Sequence, residues 1–342
     1  MMRILRGLAI ALVVLARSAP DAGAAIVAPG YAVGELATPG IVTGGVAVSG
    51  GVVLVGVGPF GGASQSIVRI DGSGATEIAD GFNGLSGFVY DAANDRLIVG
   101  DNALEVPGSE TGDTLYGIPD PLGRSGPPPR AKDIELLPAG AIPGVADVVL
   151  DPNDPTGRKL FVTDASFPLG GPQDGKLLAV DDVLHTTSVL QRGLGFVAGL
   201  AAKPNELFLG DVDVHDFSGR VGTIPLPDGS GAITPLAAGL PGESDLVLAS
   251  DGSLLAAVSS FSAGSFVVRI DPATGAVTTL ASGFGFATAI AEEAGTIYVV
   301  DGDFLGVDHV TVLTPIPEPA SVLGASTGLA VLALARRRAG RN

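Results

Sequence analysis

Apolar and polar residues alternate in short runs along most of this chain, and turn-forming Gly, Asp, Asn and Pro separate the runs. The clearest unit is Ser265–Asp303, SFVVRIDPATGAVTTLASGFGFATAIAEEAGTIYVVDGD. SFVVRID alternates around apolar residues and ATG is a turn. AVTTLASGF is a second run, ATAIAEEAG a third that ends in a turn, and TIYVVD a fourth. Period-two alternation broken by turn residues predicts half-buried β-strands. Ser66–Asp101 and Gly175–Asp211 follow the same order. A repeat of about 40–50 residues built of four short strands predicts the blade of a β-propeller.

Laid along the chain, the pattern gives an all-β single propeller over residues 44–315, after a lead-in segment of 25–43. Gly44–Gly58 reads as the inner hairpin of a blade that lacks its outer strands. Five fuller units follow: Ser66–Asp101, Asp113–Asp164, Gly175–Asp211, Gly219–Ser260 and Ser265–Asp303. The second is stretched by a Pro-rich insert, Pro119–Lys132. A last run, Asp308–Pro315, stands alone. If Val310–Leu313 supplies an outer strand to the blade begun at Val46, the ends close a ring and its open edges disappear. The count is then six four-stranded antiparallel blades, with five or seven left open by the irregular second unit.

The ends differ from the body. Arg3 and Arg6 precede the apolar stretch Gly7–Ala16, and Ala22-Gly23-Ala24 offers an A-x-A cleavage site, so residues 1–24 read as a signal peptide with a helical core. From Pro317 the chain runs PEPASVLGASTGLAVLALARRRAGRN. A helix over Val322–Ala335 would reach about 21 Å, short of a bilayer core of about 30 Å. The basic cluster Arg336-Arg337-Arg338 would stay on the cytoplasmic side.

The order Pro317-Glu318-Pro319, apolar helix, Arg336-Arg337-Arg338 resembles the PEP-CTERM sorting signal of Gram-negative bacteria. The resemblance implies an exosortase partner, processing near Pro317–Pro319 and transient contact with the inner membrane at both ends. It also implies an exopolysaccharide-producing cell and a final place at its surface or in its matrix. The body resembles NHL-type and gluconolactonase-like six-bladed propellers through the apolar-apolar-x-Asp pattern that closes Ile98–Asp101, Phe161–Asp164, Phe208–Asp211 and Tyr298–Asp301.

Composition narrows the partners. The formal charge is −17; without both ends the middle carries 12 basic and 34 acidic residues, a balance near −22. Such a field repels nucleic acid and anionic lipid. There is no Cys, so neither disulfides nor thiolate metal sites enter.

Candidate chemistry is sparse. The three histidines stand apart, without HExxH spacing, and Gly56–Gly62 reads as a turn, not a phosphate cradle. Aligning the third runs gives the column Gly45, Gly87, Asp147, Ala198, Asp245 and Thr288. Asp147 and Asp245 could face one pool of channel water, where oxygen ligands suit Ca²⁺. Gluconolactonase-like enzymes use a Glu, an Asn and Asp residues around one divalent metal; here Glu35 and Asn83 lie near blade starts but out of register. Asp211 and Asp213 share one strand face and form a second acidic, Ca²⁺-holding candidate. The Asp column at 101, 164, 211 and 301 reads as structural, each side chain accepting turn amides.

These features lead to the expectation of a non-enzymatic surface propeller that binds exopolysaccharide or other surface proteins. The alternatives are a divalent-metal lactonase or hydrolase, and a carbohydrate-binding module. An enzyme requires at least three polar side chains converging at the channel mouth. A platform has a channel of Gly, Ala and apolar residues, and a sugar binder an exposed row of Tyr or Phe rings.

Overall fold

Val52–Val57 shows how the repeats become a ring. Its residues are apolar almost throughout, and successive ones enter different cores: Leu54 packs into one cluster, Val53, Val55 and Val57 into another. Side chains of a strand point alternately to opposite faces, so both faces of this sheet meet a neighbouring sheet. The computed structural model describes residues 26–59, 64–102, 112–165, 174–213, 218–226, 231–259, 264–302 and 309–317. They form six antiparallel sheets, five of four strands and one of three.

The first blade holds β2–β5 (Val42–Ser49, Val52–Val57, Gln65–Asp71, Gly74–Phe82), after a lone strand β1 (Tyr31–Leu36). The second holds β6–β8 (Leu85–Asp91, Arg96–Asp101, Thr114–Pro119). The third holds β9–β12 (Val145–Leu150, Lys159–Asp164, Gly175–Asp181, Thr186–Leu194). The fourth is β13–β16 (Leu200–Lys203, Glu206–Val212, Ser218–Pro225, Thr234–Pro241) and the fifth β17–β20 (Glu243–Leu248, Leu254–Val258, Ser265–Ile270, Val277–Phe284). The sixth combines β21–β23 (Ala287–Glu293, Thr296–Asp301, His309–Pro315) with β1 in the order β1-β23-β22-β21. Six hydrophobic clusters lie between successive blades, one per interface. The first–second interface also seats Tyr116 edge-on against Phe82, with ring centroids 5.2 Å apart.

The six-bladed reading stands, but three boundaries shift. Strand Gln65–Asp71 pairs backwards onto β3, Val53 opposite Ile70, so the hairpin at Gly44–Gly58 has its own outer strands. A repeat reads alike from any starting strand, so its phase is set only by which strands pair. Val310–Leu313 does not extend that blade. It lies in the third strand of the sixth blade, and the closing outer strand is Tyr31–Leu36, inside the segment read as a lead-in. The Pro-rich insert stands where the second blade would have a fourth strand. It ends in a 3-10 turn, Ala131–Asp133, and touches the sheets through the bridges Tyr116–Glu135 and Asp80–Arg130. Proline lacks the N–H that a ladder needs, and Pro127-Pro128-Pro129 precludes regular pairing. The flanking signal and C-terminal helices, with Ala22, Ala24, Glu318, Pro319 and Arg336–Arg338, lie outside the described residues. Among the described residues no helix is long and apolar enough to cross a membrane.

The Asp column is structural at Asp101, Asp211 and Asp301. Asp101 accepts the N–H groups of Asn83 and Gly84, at 2.9 and 2.8 Å. Asp301 accepts those of Gly285 and Phe286, and Asp211 that of Gly195. Each clamps the segment entering its own blade. A basic residue near the start of the next strand balances two of these carboxylates, Lys176 on Asp164 and Arg220 on Asp211, and His309 stands beside Asp301 at 3.7 Å.

Candidate functional site

The innermost strands β2, β6, β9, β13, β17 and β21 follow one another around the central channel. Five of them slip register near their start. Val145 faces Asp164 and Val148 faces Val162, so an extra residue of β9 bulges out beside Asp147. Slips also fall at Thr43–Gly45, Ser86–Gly87, Ser244 and Thr288 in β2, β6, β17 and β21. A bulge bends the strand and re-aims a side chain; beside the slip in β9, the Asp147 carboxyl reaches the neighbouring blade. The fourth blade departs from this pattern: β13 begins only at Leu200, after Ala198 and Gly199.

That departure lets acids of the third and fifth blades meet. Asp147 is buried. Its Oδ1 accepts the Val148 N–H at 2.7 Å, and its Oδ2 reaches the next blade to accept the Leu200 N–H at 2.6 Å. Asp245, part-exposed, repeats the device one step on, accepting the N–H groups of Leu246 at 2.8 Å and Ile290 at 2.7 Å. The two carboxyls lie near enough that each affects the other's protonation. Gly87 is needed beside them, because a Cβ there would overlap Asp147.

Glu243 completes the group and lies outside the sequence column. Only 2% of it is exposed, and neither carboxyl oxygen has a hydrogen-bond partner among the described residues. Its head lies against Gly199 and Gly210, where any Cβ would overlap it. Gly242, at φ +74, turns the chain into this position. The fifth blade inverts the usual pairing: Glu243 faces Val258, whereas Leu85, Val145 and Ala287 face Asp101, Asp164 and Asp301. An acid directly after Pro241-Gly242, where other inner strands begin on an apolar residue, is the signal that marks it in the sequence.

Electrostatics makes the cluster hold protons. Burial pushes Asp147 well above the usual carboxylate range, and the charges of Asp245 and then Glu243 add to this. Burial raises Asp245 to about 7, against the lowering effect of its two amide donors. Burial, then Asp245 and Asp211, raise Glu243 well above its ordinary value. Among the described residues no cation pairs with any of the three.

The other candidates lie elsewhere. Asp211 is held by Arg220 and the Gly195 N–H, and the N–H of Asp213 donates to Ser218 O at 2.9 Å. Glu35 is on the outermost strand β1, away from the channel. Asn83 is buried at the entrance to β6. A groove of about 510 Å³ lined by Asp251, Ser253, Arg269 and Asp271 lies by the hairpins at the other end of the fifth blade.

No family model and no curated protein matches the sequence. Solved structures do match the fold. A gluconolactonase from Xanthomonas campestris aligns at TM-score 0.59 and 14% identity, over 88% of this chain and 99% of its own. A luciferin-regenerating enzyme aligns at TM-score 0.58 and 14% identity, over 84% of this chain and 96% of its own. A calcium-binding protein, regucalcin, from Agrobacterium tumefaciens strain C58 aligns at TM-score 0.55 and 14% identity, over 81% and 90%. At such identity the likeness establishes a six-bladed propeller resembling gluconolactonase- and regucalcin-like proteins. Two of the three are named as enzymes. With the acids Asp147, Glu243 and Asp245 on the inner strands of the third and fifth blades, this overturns the expectation of a non-enzymatic platform, whose channel would be lined by Gly, Ala and apolar residues.

The regucalcin name raises the question of a divalent cation. Asp147, Glu243 and Asp245 supply hard oxygen donors of the type Ca²⁺ takes, but their arrangement does not fit one. All four oxygens of Asp147 and Asp245 already accept backbone amides. Glu243 faces glycine backbone. Among the described residues, no three His, Cys, Asp or Glu side chains are placed to share an ion.

Proposed function

We propose that this chain is an exported hydrolase that opens small, uncharged lactones at the mouth of its central channel. The observation that carries the reading is that Asp147 of the third blade and Asp245 and Glu243 of the fifth are gathered around the Gly199–Leu200 step: Asp147 accepts the Leu200 N–H, and Gly199 lies against Glu243 and against Leu246, whose N–H Asp245 accepts. Opening a cyclic ester needs a base to activate water and an acid to protonate the leaving oxygen. Carboxyls raised by burial above the ordinary carboxylate range serve both ends. The likeness to a propeller named gluconolactonase supports the substrate class, and the acidic site favours neutral substrates over anionic ones. The test is a pH-stat assay of the full chain in detergent against sugar and aliphatic lactones. Asp147→Asn and Asp245→Asn are each expected to lose about 100-fold or more in kcat/KM, while Glu292→Gln, which lies at the far end of the sixth blade, keeps the activity. Failure of the unaltered chain on every lactone overturns the reading.

Export rests on the two ends. The A-x-A site at Ala22–Ala24 and the order Pro317-Glu318-Pro319, apolar run, Arg336–Arg338 support a signal peptide and exosortase sorting to the cell surface or matrix. The mature protein recovered from an exosortase-bearing host is expected to have lost residues 1–24 and the arginine cluster, as read by intact mass. Retention of both ends in the recovered protein argues against this sorting route.

A further inference from the structure

We infer that Asp147 and Asp245 form a proton-sharing catalytic pair that activates water without a divalent cation. This deepens the hydrolase reading and rests on it. The geometry carries the inference. The two side chains come from different blades and are held on either side of the Gly199–Leu200 step, where the inner strand β13 starts late: Asp147 accepts the Leu200 N–H, and Gly199 lies against Leu246, whose N–H Asp245 accepts. The four amide bonds fix both carboxyls from behind, so neither can turn away from the other. Two carboxyls in contact cannot both ionise readily, because the like charges repel at short range. One proton therefore stays between them. The more deeply buried Asp147 is assigned the proton, and Asp245, the more exposed of the two, the role of the base. Glu243, buried and without a hydrogen-bond partner, stands behind the pair as a third acid and keeps negative charge unfavourable there.

The chemistry closes without a further reactant. A water oxygen bonds to the lactone carbonyl carbon while Asp245 takes the water proton and Asp147 gives its own to the carbonyl oxygen. The tetrahedral intermediate then collapses. Asp245 returns its proton to the ring oxygen as the carbon–oxygen ring bond breaks, and Asp147 recovers a proton from the intermediate's hydroxyl. The product is the open hydroxy acid, and the pair ends as it began, with one proton.

Two measurements on the full chain test this, one of them independent of turnover. The first is ¹³C NMR of labelled Asp carboxyls across pH 4–9, with Asp147→Asn and Asp245→Asn for assignment. A shared proton predicts one carboxyl titrating near 7 and its partner remaining protonated to higher pH, with each single substitution shifting the survivor. Two carboxyls that titrate independently in the ordinary range overturn the pair, whether or not any lactone is cleaved. The second combines calorimetric titration with Ca²⁺, Mg²⁺, Mn²⁺ and Zn²⁺ with the lactone assay in chelator. No stoichiometric binding at the pair, and a rate within twofold of the untreated chain, are expected. Stoichiometric binding that disappears in Asp147→Asn, or a rate abolished by chelator and restored by one cation, overturns cation-free catalysis. Absence of lactone cleavage under all conditions, with the shared proton present, defeats the lactonase reading and the catalytic assignment with it, while leaving the proton-sharing pair in place.

Discussion

Replacing Arg96 by methionine is expected to lower the stability of the propeller by about 3–5 kcal/mol, the usual cost of breaking a buried ion pair from one side. Arg96 lies on β7, and its guanidinium crosses from the second blade to the third. Its Nε donates to Asp91 Oδ2 at 2.8 Å and its Nη2 to Gly157 O at 2.9 Å, while Nη1 pairs with Asp182. Asp91 and Asp182 are both buried, so removing the arginine strands two carboxylates away from water. Arg158 also touches Asp182, at 3.4 Å, but its side chain is 43% exposed. Arg158→Ala should therefore cost at most about 1 kcal/mol. Urea unfolding of the two variants checks the contrast. Equal losses, or a loss below 1 kcal/mol for Arg96→Met, would show that the blades hold together without this link.

The second large effect is one of pH. Between about pH 4 and pH 7 the folded chain is expected to lose stability as the pH rises, by a few kcal/mol in all. Asp147, Glu243 and Asp245 are raised by burial, so in the fold they keep protons that the same residues in the unfolded chain give up near pH 4. The folded state then binds more protons than the unfolded state, and the slope of stability against pH is negative. Below about pH 4 both states are protonated, and this contribution is complete. Glu243→Gln keeps the shape of a neutral carboxyl and removes one titrating group. It should flatten the curve and make the protein more stable than its parent at pH 8. Thermal unfolding across pH 4–9 for both proteins measures the difference. A parent curve that rises or stays level through this window contradicts the buried, proton-holding cluster.

Strand alternation made the blades legible, because the second strand of each sheet is sandwiched and advertises itself through runs such as Val52–Val57 and Leu254–Val258. What stayed hidden carries little apolar pattern. β1, YAVGEL, lies at the outer edge with most of its side chains in solvent, so nothing in its hydropathy marks it as the closing strand. Asp147 and Asp245 could be found because each follows two residues after the start of the register in its inner strand, Val145 and Glu243, and their column aligns. Their contact could not, since it depends on β13 starting late at Leu200. Glu243 was missed because it sits two residues before the column, at a position that is apolar in the neighbouring inner strands. The acids Asp211 and Asp213 looked equivalent to the channel pair in sequence, but Arg220 neutralises Asp211 and leaves it a clamp.

The closure of the sixth blade also bears on how the chain can assemble. Leu36 lies opposite Val310 and Tyr31 opposite Pro315, so almost the whole chain separates the partners of this one ladder. Blades one to five pair strands that are near neighbours in sequence and can form as the chain emerges. The sixth cannot, since its edge strand arrives first and its partner last. Pairing at such separation is entropically costly and slow. During that wait β1 has no ladder partner and the apolar faces of the first and fifth blades stand open, a state prone to association between chains. The order of synthesis thus makes the last few residues of the body, His309–Pro315, the kinetic lock of the ring.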